Sequence, residues 1–259
     1  YNLPDSFPMG GLFKMTPEMC GDSEIPPPHF MNYIAVENVD ELANMITQYF
    51  FNHFIDMQTG EKSCVLVRFF MTYPYNSLEK ELCQLADKML DGQPAPQEMK
   101  CLVLSATTGI QPEWNSITDS KGHRVLPLPS EEMLKKNLMV NQFIYQFGMD
   151  ISHVLHPDPK VALELEGRIF NVYHVPDALR SPYIPAQDDF VVPFEIKSAL
   201  GFGGMLPTGN LFALIIFSKT KIPRETAELF KNIALSVRMA ILPFVSEKIF
   251  VIDKNEITE

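Results

Sequence analysis

Tyr173 and His174 close an alternating, strand-like run, after which the chain passes Asp177, Arg180, Tyr183 and Gln187 on its way to Asp188-Asp189-Phe190. Aromatic surface with a few convergent polar groups is the usual make-up of a small-molecule site. The same stretch holds Pro176, Pro182 and Pro185, so it reads equally as a loop stiffened by proline. Trp114, the only tryptophan, lies in a long loop over 108–130 that could close over such a site or anchor packing. Phe202 stands among Gly201, Gly203 and Gly204, and glycines inside a strand permit a bulge or the close approach of a ligand or another backbone. The candidate ligand-binding residues are therefore Trp114, Tyr173, His174, Arg180, Tyr183 and Phe202.

Other reactive side chains do not assemble into a recognisable pattern. His153 and His156 are three apart, a ligand spacing only on a helix, and Pro157 and Pro159 argue against a helix there. A lone strand-end histidine such as His174 reads as a hydrogen-bonded surface residue. Cys20, Cys64, Cys83 and Cys101 form no C-x-x-C pair, which points to thiols in a reducing compartment. No G-x-S-x-G, H-E-x-x-H or P-loop motif is present, and the Gly201–Gly204 run has no following helix to cradle phosphate. No catalytic residue, metal ligand or cofactor is assigned, and the chain is expected not to be an enzyme.

Bulk properties narrow the partners. A net charge of −11 disfavours nucleic acid, which needs clustered Lys and Arg, and disfavours anionic membrane surfaces. No apolar run of about 18 residues exists, and the N-terminus has neither a basic nor an apolar signal segment, so a cytoplasmic location is expected. A hydrophobic share of 46% is ample for a core without disulfide staples.

The elements that must position these residues announce themselves by period. Residues 1–36, rich in Pro, Met and Gly, read as an extended arm. Asn38 and Glu41 form an N-terminal cap box, followed by an inner stripe of Leu42, Met45, Ile46, Tyr49, Phe50 and His53. Ser77 is expected to cap a second helix ending before Gly92, and Ser130 a third carrying Val140, Ile144 and Phe147. The clearest repeat runs from Ala227 to Phe244, with Pro223 in the first turn and Pro243 placed to kink or end it. Strands are expected over 64–71, 101–107, 168–175, 198–205 and 210–218, the last two joined by the turn Leu206-Pro207-Thr208-Gly209. This order describes one α+β domain over 37–245, with 246–259 as a tail.

Residues 190–244 carry a likeness. Glu195-Ile196-Lys197-Ser198, the hairpin turn into Gly209-Asn210-Leu211-Phe212, Ser218, and the Glu225–Ala240 repeat of small and apolar positions follow one another as in the C-terminal half of a GAF domain, which this segment resembles. The resemblance implies a GAF/PAS-like central antiparallel sheet flanked by helices, with a long C-terminal helix. It further implies a regulatory sensor that binds a small molecule or partner, with the 173–190 region walling the pocket. Its helix would form a homodimer and lead, through the tail, to an output domain such as a kinase, cyclase or phosphatase. The cyclic-nucleotide variant of the family would have an Asn-Lys pair, a Phe and an Asp-Glu pair where this chain has Ser218-Lys219, Ile222 and Glu225-Thr226. The bilin variant would need a Cys-His pair, which is absent, and Leu179-Arg180-Ser181-Pro182 is only superficially similar to its "LRS" stretch. Two alternatives stand beside the sensor: a ligand-free dimerisation scaffold with a self-filled pocket, and a thiol-dependent methionine sulfoxide reductase, as some GAF relatives are, using Cys64, Cys83 and Cys101.

Overall fold

A computed structural model describes residues 36–56, 59–90, 92–120, 123–156 and 172–245. The N-terminal arm with Cys20, the start of the expected 168–175 strand and the 246–259 tail lie outside the described residues. In chain order the elements are α1 (Val39–His53), β1 (Cys64–Pro74), α2 (Lys80–Met89), β2 (Lys100–Gly109), β3 (Val125–Leu128), α3 (Glu131–Lys136), α4 (Leu138–Gln146), α5 (Ile151–Leu155), β4 (Val172–Val175), β5 (Ser198–Met205), β6 (Leu211–Ser218), α6 (Arg224–Glu228) and α7 (Phe230–Val245). The six strands make one sheet in the order β3-β2-β1-β6-β5-β4, with every neighbouring pair antiparallel. The fold is α+β.

Strand alternation gives the sheet two apolar faces. On β6, Phe212, Leu214 and Ile216 point to one face and Ala213, Ile215 and Phe217 to the other, and all eight residues of the strand are buried. The first face meets α1 and α7 in a core built on Phe50, Phe202 and Phe230, whose rings lie 5.5–6.3 Å apart. It extends onto α2 through Ala86, Leu90, Cys101 and Val103. The second face is covered by α4, by the loops over 110–120 and 176–197, and at one end by α3 and α5.

Local rules account for most boundaries. Asn38 Oδ1 accepts from the Asp40 and Glu41 amides, so α1 starts where the cap box places it. Its outer residues are another matter, since Met45 and His53, expected on the inner stripe, are exposed. Ser77 does not cap α2: it sits in a short 3-10 turn and donates to the Pro74 carbonyl, and the helix begins after Glu79. Ser130 does cap α3, but Asn137 ends that helix and caps α4, accepting from the Val140 amide at 3.1 Å. Ile151–Leu155 is helical after all, because Pro157 and Pro159 fall beyond its last turn, where proline does no harm. The terminal helix is interrupted at Leu229, and Pro223 precedes its first turn as the cap residue. Pro243 lies inside α7 without ending it, on the exposed side. The short edge strand β3, expected to be loop, contains Pro127.

Two glycines of β5 receive aromatic rings from α4. A Cβ on Gly201 would stand 2.9 Å from the Phe143 ring, and one on Gly203 would stand 2.9 Å from the Phe147 ring and 2.1 Å from the Phe212 carbonyl oxygen. Close approach is thus what these glycines provide, and the approaching group is the protein's own. Gly203→Ala is expected to destabilise the fold by about 3 kcal/mol or more, because a backbone oxygen cannot give way, and Gly201→Ala by about 1–2 kcal/mol. Equilibrium urea unfolding of the two variants reads this order, and equal or negligible losses would contradict it.

Candidate functional site

The residues nominated from sequence divide between the two faces of the sheet. Successive residues of β4 point in opposite directions, so Tyr173 joins the loop-covered face while His174 joins the helix-covered face. Phe202 pairs with Val172 on the helix side and packs on Phe50 and Phe230. Phe202 and His174 therefore do not line a pocket with Tyr173; the alternation of the strand forbids it. Trp114, Tyr173 and Tyr183 do share one cluster. Arg180 is exposed, at a positive φ of 59°, and joins none of the buried clusters.

The cover on the loop side is held by side-chain to backbone hydrogen bonds. Asn115 and Gly109 exchange a reciprocal pair, each at 3.0 Å, and Thr107 Oγ1 donates to the Trp114 carbonyl at 2.9 Å. These bonds seat the Trp114 ring over Gly109, where a Cβ would meet it at 2.8 Å. Gln187 ties the second loop: its Oε1 accepts from the Arg180 amide at 2.7 Å and its Nε2 donates to the Ile184 and Ala178 carbonyls. The polar group that the sequence offered to a ligand is thus engaged in folding its own loop. A one-turn π-helix over Gln187–Val191 brings Phe190 and, further on, Phe194 against Trp114, with centroids 5.5 and 4.6 Å away. Phe190 also meets Phe217 of the sheet edge-on at 4.9 Å.

Beneath this cover two polar groups lack a hydrogen-bond partner among the described residues: Tyr173 Oη, on a side chain with 0% exposure, and Arg68 Nε. Burial pushes the Tyr173 phenol far above its usual range, so it stays protonated and is a donor without an acceptor. Arg68 was not among the nominated residues. Its sequence signal was available, as the one charge in CVLVRFFM, a run otherwise suited to a buried strand.

On the opposite face a buried polar chain ties the sheet to the terminal helices. Ser198 Oγ donates to the Thr220 carbonyl at 2.6 Å and accepts from the Ile222 amide at 3.2 Å. His174 Nε2 bonds the Ile222 carbonyl at 2.7 Å, and since a carbonyl only accepts, that nitrogen carries the proton. The His174 amide in turn donates to Gln146 Oε1 of α4 at 2.7 Å. His174 is buried rather than the surface residue expected of a strand end.

The thiols are dispersed. Cys64 begins β1 opposite Ser218 and Cys101, the second residue of β2, lies opposite Tyr73, so antiparallel pairing puts them at opposite ends of the sheet. Both are buried; burial raises the Cys64 thiol far beyond its usual range and the Cys101 thiol to about 12, helped by Cys83 and Asp87. Among the described residues no cluster of three His, Cys, Asp or Glu side chains is gathered as a metal site, and no helix is long and apolar enough to cross a membrane.

No protein-family model matches the chain, and no curated protein matches it.

Burial, chiefly, and then the nearby Arg224 hold the His174 pKa below its ordinary value, against the pull of the Ile222 carbonyl and Glu228. A folded-state pKa below the unfolded one favours the neutral ring. Its stabilisation is complete above about pH 6.5 and is lost as pH falls from there through the folded value. His123 is shifted in the same direction and adds to the slope. Melting temperature is therefore expected to fall between pH 7 and 5, less steeply in His174→Asn, and an unchanged slope in that variant would contradict the assignment.

Proposed function

We propose that the chain is a GAF-type regulatory domain that senses a small molecule under the loop cover and passes the change to α7. The observation that carries this reading is the division of labour on β4. Tyr173, on one side of the strand, ends in an unpartnered hydroxyl beneath the aromatic cover, while the adjacent His174 grips the Ile222 carbonyl just ahead of α6 and α7. A ligand that accepted the Tyr173 proton would shift β4, and the shift would be felt at the start of the terminal helices. It acts by favouring one arrangement of the helices over another, and no bond chemistry is required.

The outer side of the terminal helices supports a dimeric readout. Leu229, Leu235 and Met239 are 54%, 45% and 53% exposed, and the last two lie one helical turn apart on α7. An exposed apolar stripe on a helix is the usual form of a helix–helix contact. An output domain beyond α7 is what the family resemblance implies.

A specific observation favours the ligand-free scaffold as a second reading. Phe143 and Phe147, tilted against each other with ring centroids 4.0 Å apart, fill the space above Gly201 and Gly203 that a ligand would otherwise use. The reductase reading has the weakest support, because Cys64 is remote from Cys83 and Cys101 and both strand thiols are held protonated.

Sedimentation equilibrium is expected to show a dimer that dissociates in Leu235→Glu/Met239→Glu; a wild-type monomer, or a variant that remains dimeric, would contradict the α7 interface. Native mass spectrometry after incubation with a metabolite extract is expected to show a retained small molecule that Tyr173→Phe releases. A protein that retains nothing supports the scaffold instead.

A further inference from the structure

Resting on the sensor reading, and giving it a ligand class, we infer that Arg68 is the anion-binding residue of a small organic carboxylate bound under the 110–120 cover. Arg68 stands in the middle of the central strand β1, opposite Thr107 of β2 and Ile215 of β6, on the loop-covered face. Among the described residues only one partner is bonded to its guanidinium, the neutral hydroxyl of buried Ser120 at 2.8 Å, and its Nε is sealed from solvent without an acceptor. No carboxylate among the described residues forms an ion pair with it, although the chain carries 32 acidic residues. Arg68 as a whole is half-buried, and a guanidinium desolvated on its Nε side without a counter-charge is costly; the complement that relieves it is an anion presenting two oxygens to the planar fork.

The surroundings choose among anions. Among the described residues, the fixed positive charge of Arg68, the Ser120 hydroxyl and apolar walls match the single charge of a carboxylate, whereas a phosphate dianion would need further donors. Walls for an apolar body are at hand. Leu66, two residues away on the same face, pairs with Gly109, over which the Trp114 ring is seated, and the Thr107 hydroxyl opposite Arg68 holds the Trp114 carbonyl. The ligand is thus a monocarboxylate with an apolar body.

Trp114, the only tryptophan, reports directly on this site. The full chain is titrated with acetate, benzoate, phenylacetate and inorganic phosphate, with Trp114 emission and melting temperature as readouts, in wild type, Arg68→Met, Arg68→Lys and Ser120→Ala. Benzoate or phenylacetate is expected to change the emission saturably and raise the melting temperature, acetate to bind more weakly, and phosphate to give no saturable change. Arg68→Met is expected to weaken carboxylate binding at least ten-fold and to melt no lower than wild type in carboxylate-free buffer, since the unpaired charge is gone. Arg68→Lys, which keeps the charge and loses the fork, and Ser120→Ala are expected to bind with intermediate affinity. Equal affinity in all four proteins, no saturable carboxylate binding to wild type, or an Arg68→Met protein that melts far lower without carboxylate would each overturn the assignment. A metabolite retained equally by wild type and Arg68→Met in native mass spectrometry would overturn it too, while leaving the sensor reading in place.

Discussion

The sheet must bury both of its faces, because β6 carries large apolar side chains in both directions along its whole length. Helices α1, α2 and α7 close one face with regular, self-satisfied backbone. Their burial of rings such as Phe50, Phe202 and Phe230 supplies the kind of contact worth about 2–3 kcal/mol per large side chain. The other face is closed mostly by loops, whose backbone groups have to be satisfied piecemeal. Asn115, Thr107 and Gln187 do that work, and aromatic rings from the loops supply the apolar contact. A cover made this way is easier to open than a helix, and the proposed ligand site is placed on that side for this reason.

The unequal faces also explain how β4 becomes the link between them. Among the described residues it runs over Val172–Val175 at the end of the sheet order, pairs with β5, and has neighbouring side chains that engage different layers. Tyr173 belongs to the cover and His174 to the loop that launches the terminal helices. Movement of a central strand would have to break hydrogen bonds on both sides, whereas an edge strand is held by one ladder. The Ser198 and His174 contacts with Thr220 and Ile222 keep the sheet and the launch of α6 in register. The family resemblance had singled out Ser198 without a reason; its hydroxyl makes two of those bonds.

Much of the fold was legible in the chain. The hairpin of β5 and β6 lies where its turn residues put it, with Gly209 at a positive φ of 75°, and Asn38 and Ser130 cap the helices they precede. What escaped had physical causes. Asn137 both ends one helix and starts the next, a double role that apolar period cannot reveal. The prolines after α5 marked an end and were read as a prohibition. The candidate site was legible as a set of residue types but not as a place: Tyr173 and His174 are neighbours in sequence and lie on opposite faces, and Gln187 is consumed by its own loop. Arg68 was hidden by its context, since a charge in an apolar strand declares itself only when its partners are counted.

The most direct test of the coupling is hydrogen exchange over residues 219–235 in Trp114→Ala and in Trp114→Ala/His174→Asn, each compared with its parent carrying Trp114. Loosening the cover is predicted to raise exchange at Ile222 and the start of α6 and α7 when His174 is present, and to leave that segment unchanged when it is not. Exchange confined to the 110–120 and 176–197 loops in both backgrounds would contradict a link through β4.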